Sequence, residues 1–188
     1  MTYEGICMTY DFDAVIDRHG TGSLKYDCAE RRGKSADLLP MWVADMDFRI
    51  PQEAVDALVA RCEHGIFGYT EPDDAYFAAA CSWIERHQGW RPDPETCTLT
   101  PGVVFALAAA VRAYSEPGDA VLIQPPVYYP FKEVIEDNGR VVARAPLTYA
   151  NGSYGFDATE FERVVSEERP ALFLLCNPHN PVGRVWAE

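Results

Sequence analysis

The chain has 188 residues, of which 48% are hydrophobic and 24% are charged, a composition typical of one globular domain or of one domain with part of another. Its net charge of −13 argues against nucleic-acid partners and anionic membrane surfaces, since both carry negative charge. No apolar run has transmembrane length, and the N-terminus lacks the basic start and apolar core of a signal peptide. The six cysteines have no metal-like spacing, so we expect reduced thiols, no zinc and a cytoplasmic protein.

The first fifty residues carry little periodicity, and two helices follow them. Pro51 is placed to open the first helix and Gly65 to end it, with apolar residues on one face. The second helix is predicted over about 72–88, with Gly89 as its stop. Asp45 and Asp47 precede these helices. They could form an acid–base pair, but their position favours capping or turning the backbone before Pro51.

The pattern changes after residue 98. Residues 103–114 are apolar nearly all round, which predicts a helix buried on every side. The remaining predicted elements are a strand over 120–123, a helix over about 130–138, a strand over 140–145, a tight turn at Asn151-Gly152, a helix from Asp157 through about Glu168 and a strand over 171–176. This order predicts an α/β fold with a mostly parallel sheet, in which ligands bind at the carboxyl ends of strands.

Three loops fall where that rule expects a ligand. In the first, Gly102 precedes a helix whose N-terminus suits a phosphate, although simple helix initiation gives the same pattern. In the second, Tyr128 can stack on a flat heterocycle or serve as ordinary packing. In the third, Asn177 to Gly183, a rigid Asn amide can bind a ligand oxygen or satisfy its own backbone. His179 could act as a base there, but a solvent-side turn residue is the favoured interpretation.

Taken together, these motifs resemble the N-terminal part of pyridoxal-phosphate enzymes of the aspartate-aminotransferase fold, within them the MalY/PatB-like cystathionine β-lyases (cysteine-S-conjugate β-lyases). The similarity covers nearly the whole chain. The D-R-H-G and A-D-M-D-F motifs are specific to that group, whereas N-P-H-N-P-x-G occurs in many class I and II aminotransferases. The residues that carry the resemblance are 17–20, 36–40, 44–48, 65–69, 125–128 and 176–186.

The resemblance implies roles for individual residues. The backbone amides of Gly102 and Val103 would hold the phosphate of pyridoxal 5'-phosphate. Tyr128 would stack on the pyridine ring, and Asn180 would hydrogen-bond the phenolic oxygen of the cofactor.

Two more implied roles concern the substrate and a second subunit. Ala44 would lie beside the substrate carboxylate, and Tyr69 would reach into the neighbouring subunit's site, so that the active unit is a homodimer. The implied substrate is a small amino-acid thioether. Residues 1–50 would form an N-terminal arm and part of the small domain, and residues 51–188 the first portion of the large cofactor-binding domain.

Members of the family are about twice as long, and the resemblance therefore implies an incomplete large domain. We expect no catalytic residue in this chain, since the Schiff-base lysine of the family lies downstream. Lys25 and Lys34 fall in the polar N-terminal arm, and Lys132 reads as a solvated helix-face lysine. The implied activity is C–S β-lyase, with the isolated chain inactive. The alternatives are an aminotransferase of the same fold and a non-catalytic fragment that binds a partner chain.

Overall fold

The computed structural model describes residues 10–187, and the chain divides into two compact units, Met1–Asp73 and Asp74–Glu188. Cys7 lies outside the described residues. The elements of the first unit are α1 (Leu24–Asp27), a 3₁₀ turn (Glu30–Arg32) and α2 (Gln52–His64). Pro51 precedes the first turn of α2, and Gly65 ends the helix in a left-handed conformation, as predicted. The predicted boundary after residue 50, between the N-terminal arm and the large domain, stays a prediction.

The second unit contains the remaining elements. They are α3 (Asp74–Gln88), a 3₁₀ turn (Pro94–Thr96), α4 (Val103–Tyr114), β1 (Ala120–Ile123), α5 (Pro130–Asp137), β2 (Val141–Arg144), β3 (Thr148–Ala150), β4 (Ser153–Gly155), α6 (Ala158–Glu168) and β5 (Leu172–Phe173). The predicted order of strands and helices is confirmed.

The main sheet has three parallel strands in the order β2-β1-β5. Because side chains alternate across a strand, Val121 and Ile123 of β1 join the apolar cluster that contains α5, while Leu122 joins a second cluster with Val164 of α6. Helices therefore cover both faces of a central strand that is buried along most of its length. The α/β class and the parallel sheet are as the sequence predicts.

Two local signals in the sequence form as expected. The side chain of Asp157 accepts a hydrogen bond of 3.0 Å from the backbone N–H of Glu160 and so caps α6. Asn151 and Gly152 both have positive φ angles, 51° and 77°, and join β3 to β4 in an antiparallel hairpin.

The prediction that the helix over 103–114 is buried on every side is wrong for the described residues. Only Val111 of α4 is fully buried, whereas Val103 is 71% and Phe105 58% exposed. One stripe, with Leu107 and Ala108, packs on the cluster around β1, and no described residue covers the opposite side. The last strand is also shorter than predicted, Leu172–Phe173 instead of 171–176.

Candidate functional site

The strand order places a topological switch point at the carboxyl end of β1. From β1 the chain passes through α5 to β2 on one side, and later returns through α6 to β5 on the other side. In parallel sheets, loops on either side of such a switch in direction separate and leave room for a ligand. The loops that follow β1 and β5 are the second and third loops singled out in the sequence.

A buried histidine joins these two loops. His179 is 1% exposed, and its Nε2 lies 3.0 Å from the carbonyl oxygen of Pro126 in the loop after β1. Its Nδ1 accepts a hydrogen bond of 3.1 Å from the indole N–H of Trp186. Since Nδ1 accepts, Nε2 carries the proton and donates to Pro126, which assigns the neutral tautomer. The expectation of a solvent-side turn residue is therefore wrong, and no ring nitrogen is left free to act as a base.

The backbone of the third loop forms its own closed turn. The N–H of His179 donates to the carbonyl of Arg184 at 2.6 Å, and the N–H of Gly183 donates back to the carbonyl of His179 at 2.8 Å. The side-chain oxygen of Asn177 accepts from the N–H of Trp186 at 3.1 Å. The backbone N–H and C=O groups that form this turn are thus hydrogen-bonded within the protein, which is what a rigid loop requires.

The two asparagines of this loop have different roles. Asn177 stabilises the turn, which is one of the two roles the sequence left open. Asn180 is exposed, and its backbone N–H approaches the Cys176 sulfur at 3.4 Å, but within residues 10–187 its side-chain amide has no hydrogen-bond partner. An amide that is held on a fixed turn and has no protein partner is available to a ligand oxygen.

Tyr128 lies in the loop after β1 and is half-buried. Its ring contacts Phe131 at a centroid distance of 6.2 Å and Tyr129 at 5.6 Å, and it packs against the apolar cluster that also touches Cys176 and the Leu107 side of α4. The residues that follow β1 and β5 therefore meet around one cluster, against which Leu107 and Ala108 of α4 also pack. Packing and ligand stacking remain compatible uses of this half-buried ring.

Gly102 forms the N-cap of α4 with no side-chain cap. A Cβ built on Gly102 would project into open space, with no atom of this chain within 4 Å. Packing therefore does not explain the glycine, and no side chain caps the first-turn amides of α4, which include the Val103 N–H. Further along α4, Leu107 and Ala108 pack against the cluster that contains Val121 and Ile123 of β1.

The other two predicted site residues belong to the first unit. Ala44 is exposed, and follows Val43, whose φ of 58° is in the left-handed region. Tyr69 is fully exposed. Both residues are therefore described within the first unit only.

The segment after Ala44 carries a charged cluster that sequence reasoning missed. Arg18 pairs with Asp45 and, at 2.6 Å, with Asp47; the Lys25 ammonium lies 2.8 Å from the second Asp47 oxygen. The expectation that Asp45 and Asp47 cap or turn the backbone before Pro51 is therefore wrong, since their carboxylates bind cations from residues 18 and 25. The sequence carries only a partial signal, since Arg18 lies in the motif at residues 17–20 and both aspartates lie in the motif at 44–48, but Lys25 lies in neither.

This cluster shifts the ionisation of its members. The hydrogen bonds from Lys25 and then Arg18 lower the pKa of Asp47 to about 2. The hydrogen bond to Asp47 raises the pKa of Lys25, and the carboxylates of Asp45 and Asp47 raise that of Arg18. The Asp47 carboxylate is therefore ionised at neutral pH, and both aspartates are bound to cations, which argues against the pair as an acid–base couple.

Other chemistries find little support in the described part of the chain. No group of three or more His, Cys, Asp or Glu side chains within residues 10–187 is arranged to hold a metal ion. Lys132 is half-exposed and pairs with Glu136 at 3.7 Å, which confirms the expected solvated helix-face lysine. Across the same residues, no helix is long and apolar enough to cross a lipid bilayer.

Comparisons with known proteins agree with this geometry. Residues 36–188 match the family model "Aminotransferase class I and II". The chain is 48% identical over 177 residues to cystathionine beta-lyase PatB of Bacillus subtilis, which covers 94% of this chain and 46% of PatB. It is 35% identical over 178 residues to MalY of Escherichia coli, with 94% and 46% covered. The chain thus spans about half the length of these curated relatives.

A solved structure shares the fold. The crystal structure of cystalysin from Treponema denticola, which contains a pyridoxal 5'-phosphate cofactor, superimposes with a TM-score of 0.86 at 35% identity. The match covers 96% of this chain and 46% of cystalysin.

Proposed function

Because the chain belongs to the aminotransferase class I and II family, we propose that it supplies the first half of a pyridoxal-phosphate-dependent C–S β-lyase. The enzyme would cleave cystathionine or cysteine S-conjugates to pyruvate, ammonia and a thiol. The observation that carries the proposal is the 3.0 Å bond from His179 to Pro126, because it fixes the loop of Asn180 against the loop of Tyr128.

The residues present fit the cofactor. The uncapped amides at Gly102 and Val103 bind its phosphate, and the open space beside Gly102 admits it. The half-buried ring of Tyr128 stacks on the pyridine, and the free amide of Asn180 binds the phenolic oxygen. When bound, pyridoxal phosphate supplies an electron sink that makes the substrate's α-proton acidic. The residues of this chain hold and orient it.

The lysines of this chain do not supply a base at that site. Lys132 is solvent-exposed and paired with Glu136, so it lacks the buried surroundings in which a lysine acts as a nucleophile or base. Lys25 is held by Asp47 in the first unit, and Lys34 is exposed. We therefore expect the isolated chain to bind the cofactor without performing the elimination.

Cofactor binding is the direct test. Pyridoxal phosphate is titrated into the purified chain and followed by equilibrium dialysis, with Asn180→Ala and, as matched control, Gln88→Ala at an exposed amide on α3. Loss of one hydrogen bond of about 1 kcal/mol corresponds to about 5-fold weaker binding. The control should bind as the parent does. Equal affinity for the parent chain and Asn180→Ala would contradict the proposed site.

The same chain provides a test of the missing chemistry. Incubated with pyridoxal phosphate and L-cystathionine, it should release no pyruvate. Release at an enzyme-like rate would show that a base is present and would contradict the assignment of the base to another segment. A keto acid formed together with the amine form of the cofactor would instead favour the aminotransferase alternative.

The partners are proposed on the same basis. The substrate is an amino-acid thioether whose carboxylate binds beside Ala44. The active unit is a homodimer in which Tyr69 contacts the neighbouring subunit's site, and the full exposure of Tyr69 supports this role. The alternative of a non-catalytic fragment that binds a partner chain is favoured by the exposed apolar side of α4, and light scattering on the purified chain measures such association. A cytoplasmic location stays a prediction.

A further inference from the structure

Val43 adopts a backbone conformation that its side chain disfavours. Its φ of 58° is in the left-handed region, which β-branched residues avoid because the branched Cβ crowds the backbone. Such conformations cost about 1–3 kcal/mol and persist where the surroundings over-determine them. The structure must therefore contain contacts that hold Val43 in place.

Those contacts lie immediately after it. One guanidinium, that of Arg18, spans the carboxylates of Asp45 and Asp47, with 2.6 Å between Nη1 and Asp47 Oδ1. The Lys25 ammonium donates to the other oxygen of Asp47 at 2.8 Å and to the backbone carbonyl of Asp45 at 3.2 Å. A side-chain bond and a backbone bond thus fix residue 45, and two side-chain bonds fix residue 47, to positions about 20 or more residues earlier in the chain.

Two features show that the cluster is more than an exposed ion pair. Lys25 is 8% exposed and Arg18 is largely covered, so both cations are held in place rather than mobile in solvent. The two positive and two negative charges also cancel. Without the cations, the two carboxylates that follow Ala44 in the sequence would be unpaired and would repel any anionic ligand that approached it.

Ala44 itself is left free by this arrangement. It is exposed, and within residues 10–187 its backbone N–H has no hydrogen-bond acceptor. A fixed, unpaired N–H between a strained residue and a neutralised carboxylate is suited to bind a carboxylate oxygen.

We propose that Arg18 and Lys25 are positioning residues that hold residues 43–47 in a strained conformation and neutralise Asp45 and Asp47, so that the Ala44 N–H can receive the substrate carboxylate. This inference rests on the proposed function and deepens it. Arg18 and Lys25 act through the aspartates and do not touch the substrate.

Backbone ¹⁵N relaxation in the 188-residue chain tests the positioning, because it reports the mobility of amides that make no hydrogen bond. Arg18→Gln should lower the order parameters of residues 43–47 from about 0.85 to below about 0.6, while those of β1 stay unchanged. Arg31→Gln is the matched control, since Arg31 is exposed and makes no described ion pair; it should change nothing. Asp45→Asn is measured alongside as the milder variant. Unchanged order parameters at residues 43–47 in both Arg18→Gln and Asp45→Asn would overturn the proposal.

A double-mutant cycle tests the strain. Glycine adopts φ of 58° without a steric penalty, so in the Val43→Gly background the ion pairs of Arg18 and Lys25 oppose less strain. Arg18→Gln should then lower the order parameters of residues 44–47 by less than about half as much as in the parent chain. Equal effects in both backgrounds would show that these ion pairs do not hold Val43 in its conformation.

Ligand recognition provides a readout that a purely structural role would not move. S-methyl-L-cysteine should shift the amide resonance of Ala44, whereas S-methylcysteamine, which lacks the carboxylate, should not. The shift should disappear in Arg18→Gln and persist in Arg31→Gln. Equal shifts from the two probes, or from neither, would overturn carboxylate recognition at Ala44. Failure to bind pyridoxal phosphate while both readouts succeed would contradict the proposed function and leave the positioning role standing.

Discussion

Two segments of this chain are held in place by opposite means. Neutral hydrogen bonds fix the loop from Asn177 to Trp186, with the buried ring of His179 at its centre. Ion pairs fix residues 43–47, with Asp47 half-exposed at their centre. Neutral, buried contacts depend on shape and desolvation, whereas exposed ion pairs depend on pH and salt. The two candidate ligand-binding segments should therefore respond to different perturbations.

The largest effect should come from His179→Ala. The substitution removes a buried ring and leaves the Pro126 carbonyl and the Trp186 indole N–H without partners, which should destabilise the second unit by about 2–4 kcal/mol. Urea unfolding of the parent and variant chains measures the difference. A loss below about 0.5 kcal/mol would show that the two loops do not depend on this ring.

Acid should release the first segment. The folded pKa of Asp47 is lowered from 3.8 to about 2, so its stabilising contribution is complete above pH 3.8 and is lost as the pH falls toward 2. The groups that face it are Lys25, Arg18 and Tyr26, and Arg18 is shared with Asp45.

The ¹⁵N order parameters of residues 43–47, measured from pH 5 to pH 2, should fall across that range. Asp47→Asn is the control, because its order parameters should be low already at pH 5 and change little further. An Asp47→Asn profile that matches the parent chain would contradict a role for this carboxylate.

A smaller effect should follow from Trp186→Phe. This change keeps a ring against His179, which the indole meets edge-on at 5.6 Å and 87°, but removes the hydrogen bond to Nδ1. The expected destabilisation is about 1 kcal/mol, less than for His179→Ala, and urea unfolding measures it on the same scale. A loss below about 0.3 kcal/mol would indicate that ring packing, not the hydrogen bond, carries the contribution of Trp186.

The sequence predicted elements whose determinants are local. The apolar run Ala120–Ile123 and the Asp157 cap formed as expected, since each depends on a few adjacent residues. The positions of the loops after β1 and β5 followed from the element order alone.

What the sequence did not predict depends on contacts between distant residues. His179 is buried because it meets Pro126, 53 positions away, and no local pattern encodes that meeting. The pairing of Arg18 with Asp45 and Asp47 likewise spans more than 25 positions. The burial of α4 was over-predicted. An all-apolar sequence indicates that every side of the helix could be buried, but the described residues bury only one side.

A crystal structure of the chain with pyridoxal phosphate would test the central claim most directly. We predict the cofactor ring on Tyr128, its phosphate at the amides of Gly102 and Val103, and the Asn180 amide about 3 Å from the phenolic oxygen. A cofactor bound elsewhere, with Asn180 still unpartnered, would contradict the claim that the loops after β1 and β5 form its binding site.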